Sequence, residues 1–392
     1  MAGYLRGETL IYFGPEPWAG LWRNRHQLMS RLAKHNTVVY VEPPVLLRDL
    51  LGLRRGRNRS RNAIRSRLFT RDASGVVVFH SPWWLPQTGR PPFKDPATRL
   101  LLAVLARVAG VDRQRRPIVW YSRPGMVDYL DKLDARLVVY HVVDEYSGYG
   151  DPSRTRSDTP GPQEQRMLRA ADVVIVVTPT LFDRKSPYNP DTFVVPNAVD
   201  FEAYAAGGLD VPADMVNIRH PVIGYSGLVA ARLDLDMLGQ TADIHPDWNF
   251  VFVGAINDDH CARELDQLRA RNNVHLLGSK PVDEVPAYVR QFDVCMIPYR
   301  INLRAEHASP LKLYEYAAAS RPIVSTNFAA ARAFEGDIAI VNDSAEFVAA
   351  CAAALASATT SNGVAKNRQL AQQNTWDHRV RQISGILESR VS

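Results

Sequence analysis

An α/β architecture built from two parallel-sheet domains is the fold class this sequence predicts, and three observations carry it. Short β-rich runs alternate with helical patterns along most of the chain. A polar, turn-rich stretch after Asn197, ending near His220-Pro221, divides the runs into two series. The length, 392 residues, is enough for two or three domains with cores of their own.

The first series predicts strands at Thr9 to Phe13, Thr37 to Val41, Val76 to Phe79, Ile118 to Tyr121, Leu137 to Val142, Val173 to Val177 and Thr192 to Val195. The second predicts Val222 to Tyr225, Asn249 to Val253, Val274 to Leu277, Val294 to Ile297, Pro322 to Ser325 and Ile338 to Val341. Amphipathic segments such as Arg25 to Ala33, Leu235 to Ile244 and Val285 to Phe292 lie between them as helices. The domains accordingly read as residues 1–200 and 201–374, facing each other across a cleft. Residues 375–392 form a closing helix packed back towards the first domain, with Thr375 as cap and Val380, Ile383 and Ile386 on one face. Asp151 to Pro162, with three prolines and a glycine, reads as a loop on the rim of the first sheet.

Composition narrows the class further. Apolar residues make up 46% and charged residues 22%, which excludes global disorder and fibrous repeats. The three cysteines, Cys261, Cys295 and Cys351, form no C-x-x-C pair, so a disulfide framework or cysteine zinc site is not expected and a cytoplasmic setting is. The start shows no secretion signal. The longest apolar stretch, Leu100 to Val111, is broken by Arg107 and falls short of the roughly 20 residues a bilayer needs. The net charge of +6 is modest, but Arg48 to Arg71 holds nine arginines against Asp49 alone. Preceded by Leu46, Leu47, Leu50, Leu51 and Leu53, that stripe fits an anionic membrane surface better than a duplex, and an inert solvated loop is the bland alternative. Without interleaved aromatics it gives no reason to expect nucleic acid.

The segment from Glu306 to Tyr316 carries the most chemistry. Ser309 is a good N-cap and Pro310 a good first helical residue, placing Lys312 third in the helix. A cation there opposes the helix dipole, so a phosphate at the N-terminus would be a matching ligand. A surface pair of Lys312 with Glu315 is the plain alternative. Against it, only seven of the 47 basic residues are lysines. Glu315 also lies about 7 to 8 Å along the axis from Pro310, the reach from a terminal phosphate to a ribose.

Ile297-Pro298-Tyr299-Arg300-x-Asn302, Ser309-Pro310-Leu311-Lys312-Leu313-Tyr314-Glu315-Tyr316-Ala317 and Arg321-Pro322-Ile323-Val324-Ser325 resemble, in that order, the donor half of GT-B glycosyltransferases related to retaining family 4. The resemblance is nearest to the branch typified by teichuronic acid biosynthesis glycosyltransferases, and it runs through most of the chain. It implies two Rossmann-like domains, a nucleotide-sugar donor on the second and a glycan or lipid-linked acceptor on the first. The family's paired glutamates map their second member onto Glu315 as ribose ligand. Their first falls on His307, with Glu306 beside it, so the sequence departs from the pattern there. The resemblance further implies donor contacts from Gly227 in Gly224-Tyr225-Ser226-Gly227, from Arg300 and Asn302, and from Ser309, Pro310 and Leu311. Arg232 and Lys312 would hold the diphosphate.

Asp234-Leu235-Asp236 spells D-x-D, but both acids sit where a helix start favours them, and no metal or other cofactor is expected. In the first domain Gly14, the Trp18-to-Arg23 loop and His141 are acceptor-site candidates, and Asp144 resembles the family's residue near the acceptor hydroxyl. Trp18 and Trp22 could equally pack a helix entry, and His141 reads as well as a packed core residue. The reaction expected is metal-free sugar transfer with retention, on the cytoplasmic face of the membrane. A nucleotide-sugar epimerase of the same fold and a non-catalytic nucleotide-sugar-binding protein are the rival readings.

Overall fold

The computed structural model describes residues 3–20, 22–43, 67–80, 116–145, 160–208, 210–306, 308–357 and 361–391. The chain forms two compact units, Met1–Pro196 with Arg379–Ser392, and Asn197–His378.

In the first unit, β1 (Thr9–Phe13), β2 (Thr37–Val41), β3 (Phe69–Arg71), β4 (Val77–Phe79), β5 (Ile118–Tyr121), β6 (Leu137–Val142), β7 (Val173–Val176) and β8 (Thr192–Val194) build an eight-stranded sheet in the order β3-β4-β2-β1-β5-β6-β7-β8. All its pairs are parallel except β3 with β4. Helices α1 (Asn24–Leu32), α2 (Pro162–Ala170) and α3 (Pro179–Lys185) belong to this unit. The central strands are buried on both faces, as parallel strands covered by helices must be, and β5 through β7 are apolar almost throughout.

The second unit holds β9 (Val222–Ser226), β10 (Asn249–Val253), β11 (Val274–Gly278), β12 (Val294–Ile297), β13 (Ile323–Thr326) and β14 (Ala339–Val341), ordered β11-β10-β9-β12-β13-β14 and all parallel. Counted from β9, that is the 3-2-1-4-5-6 order of a doubly wound sheet, whose order of winding reverses between the first and fourth strands. In each unit this reversal is a crevice at the carboxyl edge: between β1 and β5 in the first, between β9 and β12 in the second. Helices α4 (Phe201–Ala205), α5 (Leu235–Ile244), α6 (Ala262–Arg269), α7 (Val285–Val289), α8 (Leu303–Glu306), α9 (Leu311–Ala318), α10 (Ala329–Arg332), α11 (Ser344–Ser357) and α12 (Ser361–Gln373) complete it, and α13 (Trp376–Val391) ends the chain.

The two series of strands are where the sequence places them, within a residue at most ends. Four details differ. β3 has no counterpart among the expected strands: it is a three-residue, partly exposed antiparallel edge whose turn is tied by the Asp72 carboxylate accepting from the Ser74 and Val76 amides. The stretch after Asn197 is not all linker, since α4 buries Phe201 and Tyr204 in the core of the second unit. In α13 the buried face runs through Trp376, Val380, Ile383 and Leu387, with Ile386 only partly covered, while Thr375 Oγ1 does accept from the His378 amide. Val285–Val289 is shorter than the helix expected to reach Phe292. The arginine stripe up to residue 66, Leu100 to Val111, residues 151–159 of the expected loop, and His307 lie outside the described residues.

Candidate functional site

At the reversal in the second sheet, β9 ends in Ser226 and the chain turns through Gly227, whose φ of +135° is open only to glycine. The Gly227 amide donates to Val253 O at 2.7 Å, and a Cβ on neighbouring Gly254 would lie 2.1 Å from Gly227 O, so the loops after β9 and β10 meet backbone to backbone. Strand β12 runs on into Tyr299, and the 229–234 segment pairs with it through Asp234 N to Pro298 O (2.8 Å) and Arg300 N to Arg232 O (2.9 Å).

Helix α9 stands in front of this edge. It starts one residue later than the sequence suggests: Pro310 is extended (ψ 128°) and is itself the N-cap, so Lys312 is the second helical residue. The reason is tertiary. Asn197 Nδ2 donates to Ser309 O at 2.6 Å, which fixes the Ser309 backbone. Residues spaced three and four apart share a helix face, and the face of Lys312, Glu315 and Tyr316 looks back at the crevice. The Tyr316 hydroxyl accepts from the Ser226 amide at 2.8 Å, docking the helix on the end of β9. The Glu315 carboxylate takes the Tyr204 hydroxyl. Lys312 does not point to water: its ammonium lies 4.9 Å from the centre of the Tyr225 ring and hydrogen-bonds the hydroxyls of Tyr225 and Tyr299. A Cβ placed on Gly227 would come within 2.5 Å of Lys312 Nζ, so glycine is needed there for the lysine as well as for the turn.

Arg232 lies over the Tyr299 ring at 5.5 Å, and the Arg232 and Lys312 charges oppose each other across the tyrosines. Burial pushes the Glu315 carboxyl up from its ordinary value, against the pull of Lys312 and the Tyr204 hydroxyl. Two cations thus share a half-buried pocket with one acid, an arrangement that an anion would relieve. Chemically, cations of this kind can take a diphosphate, and a carboxylate such as Glu315 a vicinal diol.

The other residues expected in this site are more peripheral. Arg300 pairs with Asp236 at 3.5 Å, and Asn302 Oδ1 accepts the Ala305 amide at the start of α8. Asp234 caps α5 through the Met237 amide at 3.0 Å, so the D-x-D sequence does structural work here. Glu306 pairs with Arg332. Among the described residues no group of acids, histidines and cysteines is arranged to hold a metal ion. Tyr225 and Tyr204 were not among the expected site residues. The tyrosine closing the apolar run Val222 to Tyr225 was a signal for the first, whereas Tyr204 lay in a stretch read as linker.

In the first unit the crevice between β1 and β5 gathers Gly14, Glu16, Trp18, Arg23, Arg25 and Arg123. A Cβ on Gly14 would strike the Tyr40 ring at 2.0 Å, and the Tyr40 hydroxyl donates to Glu16 O at 2.6 Å. Trp18 is not an open platform: it is buried, with Nε1 donating to Asp72 at 2.9 Å and its ring against His26 and Tyr40. Trp22 is the exposed indole, stacked on His26 at 4.7 Å. His141 is a core residue beside Trp120, and burial lowers it to about 4.

Asp144 follows β6 and accepts the Glu145 amide at 2.9 Å. Glu145 is held by the fully buried Lys185 at 3.0 Å and by Arg184 at 2.9 Å, and Lys185 also reaches Glu164 at 2.9 Å. The ammonium therefore ties the strand end that carries Asp144 to α2 and α3. No local pattern marks Glu145, Glu164 and Lys185 as partners, because 19 and 21 positions of chain separate them in turn.

Comparison with known proteins agrees with the fold. Residues 220–357 match the family described as glycosyl transferases group 1. A Bacillus subtilis protein assigned as a teichuronic acid biosynthesis glycosyltransferase, TuaH, is 26% identical over 292 residues, covering 68% of this chain and 71% of its own. The sucrose-phosphate synthase of Thermosynechococcus elongatus superposes with a TM-score of 0.72 at 12% identity, over 97% of this chain and 98% of that one. Anabaena HepE, solved in complex with UDP and glucose, superposes with a TM-score of 0.63 at 14% identity, over 97% of this chain and 99% of its own.

Proposed function

We propose that the chain, a glycosyltransferase of GT-B fold, takes a nucleoside diphosphate sugar on its second unit and moves the sugar to a glycan or lipid-linked acceptor held by its first. The observation that carries this reading is the convergence of Lys312, Arg232 and the Gly227 turn on the carboxyl edge of β9 and β12, with Glu315 on the same face of α9. A uridine donor is the first to try, because HepE was solved with UDP. The name of TuaH supports cell-envelope polysaccharide as the destination.

The chemistry follows from the charges. When the bond from the sugar to the diphosphate breaks, negative charge gathers on the departing phosphate oxygen. The ammonium of Lys312 and the guanidinium of Arg232 are positioned to meet it without reorganising, an effect worth about 3 kcal/mol for one well-placed donor. These two cations do the work that a divalent ion does elsewhere, so we propose transfer without metal. In a retaining, same-face displacement the leaving phosphate oxygen takes the acceptor proton, and Asp144 positions the acceptor hydroxyl. Inversion would instead require Asp144 as general base within hydrogen-bond reach. Among the described residues no helix is long and apolar enough to cross a membrane. The Arg48 to Arg71 stripe supports attachment to the anionic cytoplasmic leaflet.

The test is release of nucleoside diphosphate from UDP-, GDP-, TDP- and ADP-sugars, followed in the presence of membrane glycolipid extract. Release that needs the extract and falls a hundredfold or more in Lys312→Ala supports the proposal. Conversion of the donor sugar to its epimer without release would make the protein an epimerase. Binding without turnover would make it a nucleotide-sugar receptor.

A further inference from the structure

The crevice at the carboxyl edge of β1 and β5 carries more positive charge than its own acids neutralise. Three arginines converge on Glu16: Arg25 at 3.3 Å, Arg23 at 3.7 Å and Arg123 at 3.8 Å. Other acids nearby are committed elsewhere. Glu42 accepts the Trp18 amide and pairs with His80, and Asp72 takes the Trp18 indole and the amides of its own turn. Arg25 is the most telling of the three. Its side chain is only 5% exposed, its single ion pair among the described residues is a lone 3.3 Å contact, and its Nε has no hydrogen-bond partner. A buried guanidinium left with donors unused is costly unless something completes it. Arg23 and Arg123 are about half exposed and stand on the open side. Next to them Trp22 lays an accessible indole on His26. His26 reports the same field: burial, then Arg25 and Arg23, lower it to about 4, so the ring adds no charge of its own at neutral pH.

We infer that this crevice is an oxyanion subsite for a sugar, in which Arg23, Arg25 and Arg123 bind a phosphate or carboxylate group on the acceptor while Trp22 offers a face for its ring. The inference rests on the reading that the first unit takes the acceptor. It narrows that acceptor to an anionic class: a phosphorylated sugar, a phosphate-linked lipid sugar or a uronic acid. Glu16 spaces the guanidinium groups and is itself fixed by the Tyr40 hydroxyl on its carbonyl. Planar guanidinium groups suit both phosphate and carboxylate through paired N–H donors.

Binding is measured by titrating the full chain with glucose 6-phosphate, glucuronate and glucose, in wild type, in Arg23→Gln/Arg123→Gln and in Lys312→Ala. The two exposed arginines are chosen because their removal leaves the core untouched. The expected result is that at least one of the two anionic sugars binds, that glucose binds tenfold more weakly or not at all, and that the double variant loses tenfold or more while Lys312→Ala does not. Glucose 6-phosphate against glucuronate decides between a phosphate and a uronate acceptor. An anion whose binding vanishes in Lys312→Ala and survives in the double variant would belong to the donor loop and overturn the proposal, as would no discrimination from glucose. A parallel UDP titration keeps the readings apart: anion binding without UDP binding would leave this subsite standing and remove the donor site.

Discussion

Gly227 and Gly14 are single residues on which each crevice depends, and for different reasons. Gly227 combines a φ of +135° with the Lys312 ammonium lying where a Cβ would go. Gly227→Ala is expected to cost about 1–3 kcal/mol of stability from backbone strain and to weaken nucleotide binding tenfold or more by displacing Lys312, which denaturant unfolding and titration would show together. At Gly14 the obstacle is the rigid Tyr40 ring, so Gly14→Ala is expected to cost about 1–3 kcal/mol from overpacking and to loosen Glu16 through the Tyr40 hydroxyl. An unchanged unfolding midpoint would contradict the packing described. The turn at Gly224 to Gly227 was legible in the sequence, and so was the place of Gly14 just after the first strand. What the turns accommodate was not, because Lys312 and Tyr40 reach them only in the folded chain.

Helix α9 and the caps of its neighbours show what local sequence settles. The positions of the strands and the existence of α9 were legible from runs of Val, Ile and Leu and from the Pro310 signal. Its first turn was not, since Asn197, 112 positions earlier, holds the Ser309 carbonyl and moves the cap to Pro310. Asp234 behaves as its place predicts: Asp234→Ala is expected to cost about 1 kcal/mol through the lost cap of α5, whereas Asp234→Asn retains it. A metal-dependent activity that Asp234→Asn abolished would contradict the structural role. The Lys185 clamp lies at the other extreme. Lys185→Met leaves Glu164 buried without its cation and Glu145 with Arg184 alone, and is expected to destabilise by about 3–5 kcal/mol; Glu164→Gln in that background is expected to recover part of it. Nothing in the local pattern foretold this buried cluster.

At the scale of the molecule, both sheets are doubly wound and their reversal points coincide with the two charged crevices, which is where such sheets bind ligands. The fold also fixes a pH response. His26 and His141 titrate near 4 in the folded chain because burial disfavours their charged forms, and near 6.5 when unfolded. Between those values the unfolded chain binds more protons, so stability falls as pH drops from about 6.5 towards 4, by up to about 3 kcal/mol for each histidine. Glu315, pushed up by burial, acts in the opposite sense and favours the fold less as pH rises past the ordinary carboxylate range. Urea unfolding at pH 7 and pH 5 should show the histidine effect, and His141→Phe should reduce the slope; a slope that His141→Phe leaves unaltered would contradict the buried neutral state of that ring.

On the proposed function, Lys312 and Glu315 present one nucleoside diphosphate to the edge of the second sheet. Calorimetric titration of the chain with UDP, GDP, TDP and ADP, repeated on Lys312→Ala and Glu315→Ala, tests it most directly. One diphosphate is expected to bind with micromolar affinity, and each substitution to weaken it by about 1–3 kcal/mol, the range for hydrogen bonds to charged groups. Absence of binding by all four, or affinity that neither substitution alters, would contradict it.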